Sequence, residues 1–347
     1  MFGKCIYCGQ ELELSKEHYL PRCLGKFRGY ETLDDRICST CNNSFKQIEE
    51  QFCRSSPEGF FRERLEIKGR KRGKKISPFQ RGSAGAPPLM MKGKFPGEDF
   101  EILWQFNPGT RNIDYMRQMV LFTENGDTRI ILIPDDMKDP SQFREKIKEV
   151  GGELGVERFK EVRIFAPESE IPWINHLLSH LQRDGENEWN RSPEKGRISI
   201  ETTVTVTSKY FRALAKIGFH YFLKRMPKFH GSEDTFADIK NFIKQGGIDD
   251  VDNVVSGSLD QISTEITRGM RPVHYCHLLA TGVNHQWLIS KLQFFLGPDF
   301  LAPVYVIKLG ENPSPIWHRE VHSDAFIYYE NGVQDGHDGY ISTGTPV

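Results

Sequence analysis

Two Cys-x-x-Cys pairs, Cys5/Cys8 and Cys38/Cys41, stand 29 residues apart near the start of the chain. No other feature limits the fold of this region as strongly. Each pair can form a tight knuckle, and two knuckles supply the four soft ligands of a closed tetrahedral zinc site. A site with no open position is structural, and it replaces the core that a unit of about 60 residues lacks. The chain holds seven Cys in all. An odd count, with four in two tight pairs, reads as metal ligands in a reducing compartment rather than as disulfides. Cys23 and Cys53 are expected to be buried thiols, and Cys276 a core residue of a strand.

With 347 residues, 38% of them hydrophobic, the chain can build two ordinary domains or one large one. It has no apolar run of about 18 residues, the length of a membrane-spanning helix. "MFGKCIYCGQ" lacks a signal core and cleavage site, so the expected location is cytoplasmic. The net charge of −1 hides an asymmetry. Residues 1–95 carry 19 Lys/Arg against 11 Asp/Glu, a net of +8, and the remainder carries 27 against 36, a net of −9. A basic first quarter suggests a nucleic-acid partner. A solvated basic surface on a small cysteine-rich module is the other explanation.

Periodicity divides the chain further. Phe45, Ile48 and Phe52 recur at helical spacing until Pro57 and Gly59 break the pattern. Residues 68–96 are rich in Lys, Arg, Gly and Pro and read as a basic linker or arm. Beyond them, "FEILWQF", "TRIILIP" and "VRIFAP" read as strands, and "DPSQFREKIKEVGG" as a helix ended by Gly151. "KYFRALAKIGFHYFLKRM" is an apolar helix stopped by Pro227, and "EDTFADIKNFIKQGG" is another, ending at Gly246. "VHYCHLLATG", "HQWLISKLQFFLG" and "APVYVIKLG" read as successive strands. Strands and helices mix without strict alternation, so the expected class is α+β. The expected organisation is a small zinc-stapled module (1–67), the linker or arm (68–96) and a larger mixed α+β domain (97–347). His274, His277 and His285 of the last part read as core or surface histidines.

Glu17 and His18 are adjacent and lie between the knuckles, in "EHYLPRCLG"; Asn42 follows the second knuckle directly, in "ICSTCNNSF". Together with "CIYCG", these motifs resemble the HNH endonuclease family, the ββα-metal nucleases, over residues 4–54. The resemblance implies metal-dependent hydrolysis of nucleic-acid phosphodiester bonds, with double-stranded DNA as the expected partner. It implies that His18 is the general base, a role suited by an ordinary pKa of ~6.5. Glu17 and Asn42, or Asn43 in its place, would offer oxygen ligands to Mg²⁺ or Mn²⁺. Pro21 would fix the turn after the His strand. The family often carries a middle Asn that orients the His; here the segment reads "YETLDDRIC", where Asp34 or Asp35 could accept from His18 or serve only as turn residues.

Arg22, Lys26 and Arg28 follow the Glu-His pair, and Arg70, Lys71, Arg72, Lys74 and Lys75 crowd the arm. Groups of this kind meet phosphates and supply affinity without base specificity. Residues 97–347 carry no nuclease motif, and recognition, regulation or oligomerisation is expected of them. By analogy of architecture alone, defence against invading DNA in a bacterial cell would suit the whole. A zinc-ribbon nucleic-acid-binding or regulatory protein without catalysis is the alternative.

Overall fold

The computed structural model describes residues 2–25, 27, 32–65, 67, 78, 90–94, 98–107, 112–133, 140–166, 171–179, 200–203, 206–258, 275–283, 285–297, 302–314, 320–328 and 339–344. Helices and antiparallel sheets are intermixed, and the fold class is α+β.

Three antiparallel strands open the chain: β1 (Phe2–Lys4), β2 (Glu11–His18) and β3 (Thr32–Cys38), in the order β1-β2-β3. The helices α1 (Ser39–Ser44), α2 (Lys46–Arg54) and α3 (Pro57–Arg64) follow. Phe45, Ile48 and Phe52 are all buried, as their spacing requires. The helix does break before Pro57, as expected: α2 ends at Arg54, and Pro57 opens a new helix. The Ser56 side chain accepts from the Gly59 N–H, and Pro57 takes a first-turn position where no N–H is needed.

The chain divides into two compact units, and the division is not the expected one. Met90–Thr203 is one unit, and Met1–Leu89 together with Val204–Val347 is the other. The inserted unit comprises β4 (Met90–Lys94), β5 (Glu101–Asn107), β6 (Asn112–Tyr115), β7 (Gln118–Phe122), β8 (Thr128–Leu132), α4 (Pro140–Leu154), β9 (Glu161–Phe165), α5 (Ile171–Ser179) and β10 (Ile200–Thr203). Its two sheets run β10-β4-β5-β6 and β8-β7-β9. β4 and β10 pair with Met90 opposite Thr203, so the unit begins and ends at one place. α4 runs past Gly151 to Leu154, and Gly155, at φ 67°, takes the left-handed position after it.

The rest of the first unit comprises α6 (Ser208–Arg225), α7 (Ala237–Gln245), α8 (Val251–Val254), β11 (Val255–Ser258), β12 (Cys276–Val283), β13 (Trp287–Leu296), β14 (Val304–Glu311), β15 (Glu320–Ile327) and β16 (Gly339–Gly344). These six strands form one antiparallel sheet in the order β11-β14-β13-β12-β15-β16. α6 packs against β12, β13 and β14, and also against α2 and β3. Gly218 allows the close approach to the sheet: a Cβ there would lie 3.0 Å from Ile307. The Ser290 hydroxyl donates to the Gly218 carbonyl at 2.9 Å.

One hydrophobic cluster runs from Cys5 and Phe52 through Leu214 and Phe219 to Leu292 and Phe326. This shared core explains why residues 1–67 and the chain after Val204 form one compact unit. The zinc-spaced module has too little apolar surface of its own and uses α6 as its floor. Among the described residues no helix is long and apolar enough to cross a membrane.

Candidate metal centre and active site

The Sγ atoms of Cys5, Cys8, Cys38 and Cys41 all lie within 4.8 Å of one another. A tetrahedron with bonds of about 2.3 Å places sulfurs ~3.8 Å apart, so this cluster can hold a metal such as zinc after a small contraction. Cys8 and Cys38 sulfurs are already 3.9 Å apart. The Cys38 N–H donates to Cys5 Sγ, and the Cys41 N–H donates to Cys38 Sγ, each at 3.4 Å. Burial works against a Cys5 thiolate, yet the N–H groups of Cys38, Cys8 and Tyr7 outweigh it and bring the thiol down to about 7. Burial, and then the neighbouring thiols, push Cys41 up. Four thiolates so close together repel unless a cation sits among them, which fits a soft divalent ion.

The two remaining cysteines of the module correct an expectation. Cys23 and Cys53 form a disulfide, with Cα atoms 6.1 Å apart, instead of two separate buried thiols. It ties the 3-10 turn after Pro21 to α2, whose backbones approach within bridging range. Cys276 is free and buried.

Glu17 and His18 are the last two residues of β2, opposite Leu33 and Thr32 of β3. Between Ser15 and Glu17 the pairing slips, and Asp35 on the facing strand adopts φ 57°. Asp34 is exposed and accepts from the Thr32 hydroxyl at 2.6 Å. Glu17 is buried and His18 half-buried, with its Nδ1 out of contact with solvent. Asn42 sits in α1, directly behind the second knuckle, and its Nδ2 donates to Ser15 Oγ at 3.3 Å. Asn42 is thus held against the strand that carries Glu17 two residues further on. Asn43 is exposed. Carboxylate and amide oxygens, such as Glu17 and Asn42 carry, are of the hard kind that Mg²⁺ or Mn²⁺ prefers.

Sequence reasoning missed the partner of Glu17. Lys216, in the middle of α6, is only 1% exposed, and its Nζ donates to Glu17 Oε1. The same ammonium donates to Glu49 Oε1 of α2 at 2.6 Å and lies 5.4 Å from the Phe45 ring centre. Burial alone would lower the Lys216 pKa, but Glu49 and Glu17 reverse this and hold it above its ordinary value. Two carboxylates, the buried Glu17 and the half-buried Glu49, face one ammonium, and the excess negative charge suits a further cation. One turn on, His220 Nε2 meets the Tyr7 hydroxyl at 2.8 Å, and a turn later Lys224 Nζ donates to the Thr32 carbonyl at 3.2 Å. The signal was present: Lys216, His220 and Lys224 recur every four residues along a helix whose middle is otherwise apolar.

Of the expected phosphate-contacting residues, Arg22 is exposed on the turn after Pro21. Lys26, Arg28, Arg70, Lys71, Arg72, Lys74 and Lys75 lie outside the described residues. Arg62, just before the arm, is buried in α3 and donates to the Cys53 carbonyl at 3.3 Å. Comparison of the chain with protein-family models, with curated proteins and with solved structures finds no match.

Proposed function

We propose that the chain is a metal-dependent endonuclease of the HNH kind that hydrolyses nucleic-acid phosphodiester bonds, with DNA as its substrate. Zinc is the structural ion on Cys5, Cys8, Cys38 and Cys41, and Glu17 and Asn42 are the ligands of Mg²⁺ or Mn²⁺. The observation that carries this reading is Asn42, behind a thiol knuckle, hydrogen-bonded to the strand that ends in Glu17-His18. Strand, strand and helix follow one another here in the order that the ββα-metal resemblance requires.

In this reading the His18 imidazole takes the proton of the attacking water. Glu17 and Asn42 present oxygens and orient the site, and Arg22 holds a phosphate beside it. A bound divalent ion supplies charge stabilisation at the phosphate and the leaving oxygen. Lys26, Arg28 and the arm residues add salt-sensitive, sequence-tolerant affinity. The inserted unit and the six-stranded sheet carry recognition, regulation or self-association. Cleavage of invading DNA in a bacterial cytoplasm is the setting this architecture suits, by analogy only.

One observation favours a second reading, a zinc-ribbon nucleic-acid-binding protein without catalysis: Glu17 is 7% exposed and already ion-paired to Lys216. Supercoiled plasmid and single-stranded RNA, each incubated with Mg²⁺, Mn²⁺ or EDTA, separate the two. Cleavage that EDTA abolishes supports the nuclease. Retention of nucleic acid without cleavage under any metal supports the binding protein.

A further inference from the structure

The Lys216 contact crosses 199 positions of sequence and joins α6 to both β2 and α2. Two roles would be compatible with an ammonium beside a metal-ligating carboxylate. It could stand where the divalent ion goes and have to leave, or it could hold the carboxylate from behind.

The surroundings decide between them. Lys216 is itself 1% exposed, among buried helix neighbours that include Leu214, Ala215 and Ile217, so its ammonium is held away from solvent. The helix cannot slide easily, because Gly218 lies against Ile307 and its carbonyl accepts from Ser290. The ammonium is also held by the half-buried Glu49 and faces the Phe45 ring, so leaving would strand the buried Glu17 carboxylate and break a second ion pair. Lys216 binds Oε1 of Glu17. A carboxylate has a second oxygen, and fixing one orients the other.

We propose that Lys216 is a positioning residue for the divalent-cation site: its ammonium holds Glu17 Oε1 and so aims Oε2 at the ion. The proposal rests on the nuclease reading of Glu17 and extends the site to the second chain segment of the same compact unit. A ligand is thus oriented by a group 199 positions away, and the first 67 residues alone do not make a complete site.

The test is Mn²⁺ binding to the zinc-loaded full chain, followed by electron paramagnetic resonance, for wild type, Glu17→Gln, Lys216→Gln and Lys216→Arg. Zinc content and thermal unfolding are measured on each. Lys216→Gln is expected to weaken Mn²⁺ binding by roughly 10–100-fold, as loss of an outer-sphere partner does. Lys216→Arg, which keeps the charge, is expected to recover a large part of that loss. Tighter Mn²⁺ binding by Lys216→Gln would show that the ammonium competes with the ion and would overturn the proposal, as would unchanged binding. Glu17→Gln distinguishes the levels: if it leaves Mn²⁺ binding unchanged, the nuclease reading of Glu17 fails as well. If Lys216→Gln does not fold, a Mn²⁺-soaked wild-type crystal decides. An anomalous peak on Glu17 with Lys216 still bound to its other oxygen supports the proposal; a displaced Lys216 refutes it.

Discussion

Tyr7 and His220 meet at 2.8 Å across 213 positions of sequence. Tyr7 lies inside the first knuckle, and its ring also packs edge-on against Phe45 and Phe219. Burial, and then the Lys216 charge, keep His220 neutral, well below its ordinary pKa. The thiol cluster and α6 are therefore built into one another. Tyr7→Phe leaves a buried imidazole nitrogen without this partner and should cost ~1–3 kcal/mol of stability. Chemical denaturation with saturating zinc measures it, and a loss below about 0.3 kcal/mol would mean that the contact contributes little.

The thiol quartet should support more than the N-terminal strands. Structural zinc binding is worth about 10–16 kcal/mol of apparent folding energy in small modules. Cys41→Ser should remove one zinc per chain, by elemental analysis. Because Cys5 and Cys38 belong to the same cluster as α6, proteolysis should then open sites in residues 206–258 as well as in the first 65. Cleavage confined to the N-terminal segment would argue against the shared core.

Glu58 gives a pH signature. It is buried, and it accepts from the Tyr210 hydroxyl at 3.0 Å and the Tyr305 hydroxyl at 3.4 Å. Burial raises its pKa from 4.5 to about 7, against the pull of these hydrogen bonds. The folded state thus holds the proton more tightly than the unfolded chain. Its stabilising effect is complete below pH 4.5 and is lost as the pH rises to about 7. The stability of wild type relative to Glu58→Gln should fall by up to roughly 3 kcal/mol over that window and stay level above it. Parallel denaturation curves of the two proteins across pH check the sign; a difference that grows with pH would be contrary to it.

The parts of this organisation that are local were legible in the chain. The thiol quartet is a matter of spacing, and Asn42 follows its knuckle by one residue. The helical face of Phe45, Ile48 and Phe52 and three strands of the large sheet, β12, β13 and β14, show in the local pattern alone. Long-range pairings were not legible. Nothing in "EHYLP" announces Lys216, and nothing near Glu58 announces Tyr210 and Tyr305. The return of the chain at Val204 escaped notice because composition does not change there, whereas the Gly/Pro-rich stretch before residue 90 drew the boundary toward itself.

That return makes a deletion testable. Met90 and Thr203 face each other across β4 and β10, so a short Gly/Ser linker can replace the whole inserted unit. The shortened chain should keep its zinc and unfold cooperatively. A fragment of residues 1–75, which lacks α6, should not. A folded, zinc-loaded fragment would show that the module needs no floor.

Hydrolysis with His18 as the base is the proposed chemistry. The most direct measurement compares wild type and His18→Ala, both zinc-loaded, in nicking supercoiled DNA with Mn²⁺. His18→Ala is expected to lose roughly 10²–10⁴-fold in rate at unchanged zinc content. Variant activity within a few-fold of wild type, or a wild type that cuts under no divalent metal, would contradict it.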